Sequence, residues 1–215
     1  MLLLLIACGS STDVINTDMT AYIAASNQAD FSTAIADCGR IDAPERAGEC
    51  IAFQVQAHGR KRPDLAREAC DTIQPGLWKD ECHFLLAEAL TIPEQPEIAA
   101  AECRKSGRYF QPCFMHLLNA HAGHLRTSQA PEDVFNAYEK ALELAGPDAP
   151  SDFRHRGWSL LFRSEALNAP VLDPTVCERL PLHGSDCRSG LREALSRALE
   201  KAMRNANPTA QEAAC

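Results

Sequence analysis

Apolar residues recur along the chain at three- and four-residue intervals, the period of an amphipathic helix rather than of a strand. The segments from Asp30 to Cys38 and from Asp64 to Cys70 each open on an aspartate suited to cap a helix and run to a cysteine without Gly or Pro. From Pro96 to Cys103 a proline occupies what reads as the first helical turn. Cys82 to Leu90 is built of strong helix formers with a wide apolar face. Between such segments, Gly39 with Pro44 and the pair Pro75-Gly76 read as loops. Farther on, Val134, Tyr138, Leu142 and Ala145 mark a helix from Pro131 to Ala145, stopped by Pro147 and Pro150. Trp158, Leu160, Leu161 and Phe162 fall in a second, between Asp152 and Asn168. Leu191, Leu195, Ala198, Leu199 and Ala202 define a third, expected to close the array with a polar outer face. The pattern predicts an all-α fold.

A longer period lies over the helical one. Cysteines 38, 70 and 103 are separated by 32 and 33 residues, and cysteines 50, 82 and 113 by 32 and 31. Periods in this range mean stacked supersecondary units. Ala34, Ala66 and Ala99 stand four residues before each first cysteine, and Ala57, Ala89 and Ala120 seven residues after each second one. Alanine at a fixed place lets two helices approach closely, so both sets are expected at helix crossings. Three residues after the second cysteine stand Phe53, Leu85 and His116, expected in the core. Six residues after it stand Gln56, Glu88 and Asn119, a polar set that recurs once per repeat and is the candidate lining of a binding groove.

Ten cysteines in 215 residues are too many for a reduced cytosolic protein that neither binds metal nor does redox chemistry. Eight of them form close pairs: Cys38/Cys50 and Cys70/Cys82 with eleven residues between, Cys103/Cys113 and Cys177/Cys187 with nine. Zinc-binding pairs usually have two to four intervening residues, and no CxxC or CxxCH motif is present. Disulfides account for them better. Eight cysteines allow 105 connectivities, of which the repeat favours the local one, each bridge stapling the end of one helix to the start of the next. Cys215 has no evident mate.

Over roughly residues 18 to 125 this arrangement is similar to tetratricopeptide-like, Sel-type repeat proteins, in particular the cysteine-rich secreted branch in which a disulfide links the helices flanking a loop. The resemblance implies an α-solenoid of helix-loop-helix repeats whose concave face binds protein or peptide. At the N-terminus, Leu5-Ile6-Ala7-Cys8 resembles the lipobox of bacterial lipoproteins. That likeness implies cleavage before Cys8 and a diacylglycerol on its sulfur. Gly9, rather than aspartate, after the cysteine implies an outer-membrane address facing periplasm or exterior. The apolar run is far below the roughly 20 residues of a membrane span. The domain expectation is therefore the end of a signal segment over 1–7, a flexible tether over 8–16, one all-α repeat domain over 17–206 and a flexible tail over 207–215.

The chain is 46% hydrophobic, 6% aromatic and 23% charged, which excludes disordered and collagen-like classes. Its net charge of -8 leaves no excess of Lys or Arg for nucleic-acid phosphates. Candidate chemistry is sparse. His116, His121 and His124 are the densest histidine group and weak candidates for a metal site, since on one helix His116 lies about 140° around from His121. His83, next to Cys82, would matter to catalysis only if that thiol were free. Gly184-Ser185-Asp186 with His183 has a triad's composition but reads as loop within a disulfide ring, and Arg60-Lys61-Arg62-Pro63 as a solvated turn. GxSxG, HExxH, P-loop and dinucleotide motifs are absent, and no cofactor is indicated. The expectation is a cell-envelope lipoprotein serving as an interaction or scaffolding module, held on the membrane by lipid at Cys8 and partnered by an envelope protein or peptide, with no nucleic acid. An envelope hydrolase acting on peptidoglycan or β-lactams, and a periplasmic metal- or haem-handling protein, are the alternatives.

Overall fold

The computed structural model describes residues 11–92, 94–128, 131–166, 175–180 and 184–206. Among them are eleven α-helices, one 3-10 turn and no strand, so the all-α class holds. The chain divides into two compact units, residues 1–90 with 105–109, and 91–104 with 110–215. The expected signal segment over 1–7, Cys8 and the expected tail over 207–215 with Cys215 lie outside the described residues.

The first unit holds α1 (Ser11–Ser26), α2 (Phe31–Cys38), α3 (Pro44–His58), α4 (Pro63–Thr72) and α5 (Leu77–Leu90), with the 3-10 turn Gly107–Tyr109 packed on α5. The expected tether runs into α1: Ser, Thr and Asp, read as a polar tether, are also the residues that favour a helix start. Asp30 caps α2 as expected, accepting the Thr33 amide hydrogen at 2.8 Å. Asp64 does not cap α4. The helix opens one residue earlier on Pro63, whose fixed φ suits the first turn, and Asp64 instead pairs with Arg67 at 3.1 Å. Pro44, expected in a loop, likewise opens α3.

Burial repeats with the cysteines. Ala34, Ala66 and Ala99 are fully buried, as a close helix crossing requires. On the second helices the inward positions are one, four and five residues after the cysteine. These are Ile51, Gln54 and Val55 in the first copy, His83, Leu86 and Ala87 in the next, and Phe114, Leu117 and Leu118 in the third. With about 100° per residue the cysteine therefore marks one edge of a stripe roughly 140° wide, not its centre. Positions three and seven lie beyond that edge, which corrects two expectations. Phe53 (42% exposed) and His116 are outside the core, and only Leu85 is buried. Ala57 is exposed and Ala89 and Ala120 are half-buried, so they mark no close crossing.

The 3-10 turn is fixed by Asp80 in the first turn of α5. Its carboxylate accepts hydrogen bonds from the Arg108 backbone amide and Nε, both at 3.2 Å. Gly107 stands there with φ +47°, and a Cβ would strike that carboxylate, so both backbone and space require glycine.

The second unit holds α6 (Pro96–Cys103), α7 (Phe110–Ser128), α8 (Pro131–Glu143), α9 (Phe153–Ala166), α10 (Val176–Arg179) and α11 (Gly184–Ala206). Its core is aromatic: Phe135, Tyr138, Trp158 and Phe162 interlock at centroid distances of 5.5 to 6.2 Å. The buried Tyr138 hydroxyl donates to the Gly157 carbonyl at 2.9 Å. The pair α9 and α11 makes the most extensive helix contact of this unit. Gly190 allows it, since a Cβ there would come within 2.6 Å of the Ser159 nitrogen and the Trp158 Cβ. Gly184-Ser185-Asp186 is not loop but the first turn of α11, where an aspartate favours the positive end of the helix dipole. The outer face of α11 is not polar either. Leu195, Leu199 and Met203 are exposed along this helix, which runs 23 residues against 14 for α9.

Candidate functional site

All four expected disulfides are present: Cys38–Cys50, Cys70–Cys82, Cys103–Cys113 and Cys177–Cys187, with Cα separations of 5.4 to 5.6 Å. Cys38 and Cys103 each end a helix, α2 and α6, and Cys70 lies in the last turn of α4. The second cysteine of each pair does not start its helix, which corrects the expected position. Cys50 and Cys82 stand a turn or more inside α3 and α5, and Cys113 and Cys187 at the end of the first turn of α7 and α11. The reason is local: Pro44 opens α3 early, and α7 begins at Phe110 directly after the 3-10 turn, so the last residues of each ring are already helical. Cys113 is buried, as are its seven bridged counterparts. Cys82 is thereby withdrawn from chemistry, and its neighbour His83, buried, sets Nε2 3.3 Å from Asp71 of the same unit.

The histidine group does not converge. His116 is exposed, His121 is buried, and His124 places Nδ1 3.4 Å from Glu94. Among the described residues no three His, Cys, Asp or Glu side chains could hold a metal ion. Gln56 and Asn119 are exposed and Glu88 half-buried, on the side of their helices away from the inward stripe. None of the three lines a cavity described below.

The largest of these cavities, about 800 Å³, lies in the second unit and was not anticipated from sequence. Three elements build it. Along α9, His155, Arg156, Ser159 and Arg163 follow at intervals of one, three and four residues, which places them on one face. One turn apart on α11 stand Glu193 and Arg197, and α7 supplies Gln111, Pro112 and Met115. The close approach at Gly190, one turn before Glu193, brings the two polar faces together.

Glu193 is the hub. His155 Nε2 lies 2.6 Å from its Oε2, and Arg197 pairs with its other oxygen. Burial works to raise the carboxyl pKa, but the His155 hydrogen bond, the charges of Arg197 and His155 and the nearby Ser159 hydroxyl outweigh it and hold the group below its ordinary value. Arg156 is paired with Asp152 at 2.6 Å. Arg163 is different: its Nε donates to the Ser159 carbonyl at 3.3 Å, and no carboxylate among the described residues pairs with it. Three arginines and the His155 ring thus face two carboxylates, and Arg163 is the arginine left without a carboxylate partner among the described residues. The Ser159 hydroxyl is buried against this cavity beside Glu193 and helps hold its carboxyl low.

Two smaller cavities occur in the first unit. One of about 280 Å³ is lined by Asp18, Tyr22 and Arg46 among others, the second of about 200 Å³ by Pro75, Leu77 and Trp78. Asp18 is committed to the Asp42 backbone amide at 2.9 Å, and the second cavity is mostly apolar. Neither gathers charge as the larger one does. No helix among the described residues is long and apolar enough to cross a membrane. Compared with protein-family models, curated proteins and solved structures, the chain matches none.

Proposed function

We propose that this chain is a binding module of the cell envelope: a lipoprotein held by Cys8, whose disulfide-stapled helical repeats carry a cleft that engages an envelope protein or peptide. Four local disulfides suit an oxidising compartment. The observation that carries the binding reading is the cleft between α9 and α11, within the 300 to 1,000 Å³ usual for ligand sites and holding an arginine that no carboxylate among the described residues pairs. The test is recovery of partners from solubilised envelopes with the lipidated full chain, wild type against Arg163→Glu. Loss of the same partner in the variant supports the reading; identical recoveries overturn it. Labelling with radioactive palmitate, lost in Cys8→Ser, tests the anchor.

A hydrolase is the second reading, favoured by one observation. Ser159, His155 and Glu193 are the three side-chain types of a hydrolytic triad, gathered on two adjoining helices. Against it, the Ser159 oxygen is sealed from solvent, and a nucleophile must meet its substrate. The expected result is no turnover of nitrocefin or muropeptides; turnover abolished by Ser159→Ala would replace binding with catalysis.

A further inference from the structure

We infer that the α9–α11 cleft takes an organic carboxylate, gripped by the Arg163 guanidinium, with the acid's carbon body against Pro112 and Met115. This rests on the binding reading above and names the chemistry of its ligand.

Most charges of the cleft are already paired with one another. Glu193 holds His155 and Arg197 on its two oxygens, and Asp152 holds Arg156. These groups cannot turn to a ligand without breaking an ion pair. Arg163 can: its single hydrogen bond among the described residues uses Nε on the Ser159 carbonyl of its own helix, and its two terminal nitrogens have no partner among those residues. That bond also removes rotamer freedom from a long side chain before any ligand arrives, which lowers the entropic cost of binding. A planar guanidinium presenting two parallel N–H groups matches a carboxylate's two oxygens.

The sign of the charge imbalance points the same way: Arg163, unpaired among the described residues, calls for an anion. The wall supplied by α7 narrows the choice further. Pro112 and Met115 are apolar and line the same cavity as Arg163, so the ligand needs carbon next to its carboxylate. Met adapts to varied shapes, which suits a carbon body of no fixed outline.

A peptide's C-terminus and a free branched acid share this chemistry. The probes are the tripeptide acetyl-Ala-Ala-Leu with a free carboxylate, the same peptide as its C-terminal amide, 4-methylvalerate, and inorganic phosphate. Each is titrated into the full chain at pH 7 and followed by nitrogen-15 chemical shifts, including the arginine Nε signals. The free acids are expected to saturate and shift Arg163 Nε, the amide to bind at least tenfold more weakly, and phosphate to bind more weakly than the acids. Tighter binding by the peptide acid assigns the source to a chain terminus; tighter binding by 4-methylvalerate assigns it to a small acid. Arg163→Gln should abolish saturation, and Arg163→Lys, which keeps the charge but loses the fork, should retain only part of the affinity. Both variants must give wild-type unfolding curves, so that lost binding is not lost folding. The proposal is overturned if acid and amide bind alike, if phosphate competes on equal terms, if Arg163→Gln binds as wild type does, or if neither acid saturates at millimolar concentration. In that last case partner recovery that still depends on Arg163 would leave the binding function standing with a different ligand.

Discussion

The two units solve different problems with similar helices. In the first, each repeat buries the same positions relative to its cysteines, polar groups such as Asp37 are paired locally, here with Arg40 at 2.8 Å, and the cavities are small. In the second, after α7, the period lapses, the core turns aromatic, and polar faces of α9 and α11 meet over a charged cleft. Repetition yields a scaffold whose every position is determined by its neighbours; a site with unspent charge arises where the repetition stops.

The comparison makes graded predictions. The largest concerns the staples. Replacing both disulfides of the first unit by serine pairs (Cys38, Cys50, Cys70 and Cys82) should cost about 6 kcal/mol at about 3 per ring, against about 3 for the Cys177–Cys187 bridge alone. Denaturant unfolding with hydrogen exchange resolved by unit measures this. A loss that does not scale with the number of bridges removed would refute this account of the staples.

Next come two changes in the first unit that differ only in register. Leu86→Ala, at a fully buried inward position, should cost about 2–5 kcal/mol, whereas Phe53→Ala, 42% exposed, should cost less than about 1. Comparable costs would refute the stripe defined by the cysteines. In the second unit Gly190→Ala should cost about 1–3 kcal/mol by wedging α11 away from α9, and should weaken partner recovery along with stability.

A smaller effect is the acid response of the cleft. The folded Glu193 carboxyl lies below its ordinary 4.5, so ionised Glu193 favours the native state above that pH, and the contribution is lost as pH falls through the folded value. Glu193→Gln should flatten that limb of the stability profile; an unchanged limb would count against Glu193 as hub. The smallest is Asp30→Ala, which removes an exposed cap whose carboxyl is held low by the Thr33 backbone and side-chain hydrogen bonds. It should lower the melting temperature slightly and only above the aspartate's own titration range.

The sequence made the helices, the four disulfides and the inward alanines of the first helices legible, because each depends on local spacing or on a period that repeats it. What it hid depended on angle or on distance along the chain. Ala57 and Ala34 recur equally well, yet only the second faces inward, since the cysteine sits at the edge of its stripe. Pro63 displaced Asp64 from the cap because a residue ready for the first turn took the position. The cleft left half a signal: His155, Ser159 and Arg163 share one helical face and could have been noticed. Glu193, 38 residues beyond His155, follows no spacing rule, and only the Gly190 contact brings it within reach.

The staples join cysteines that are consecutive in the chain, Cys38 with Cys50, Cys70 with Cys82, Cys103 with Cys113 and Cys177 with Cys187. A polypeptide oxidised while it threads through a pore, N-terminus first, would therefore reach its native bonding by linking each newly arrived thiol to the one before it, with no later reshuffling.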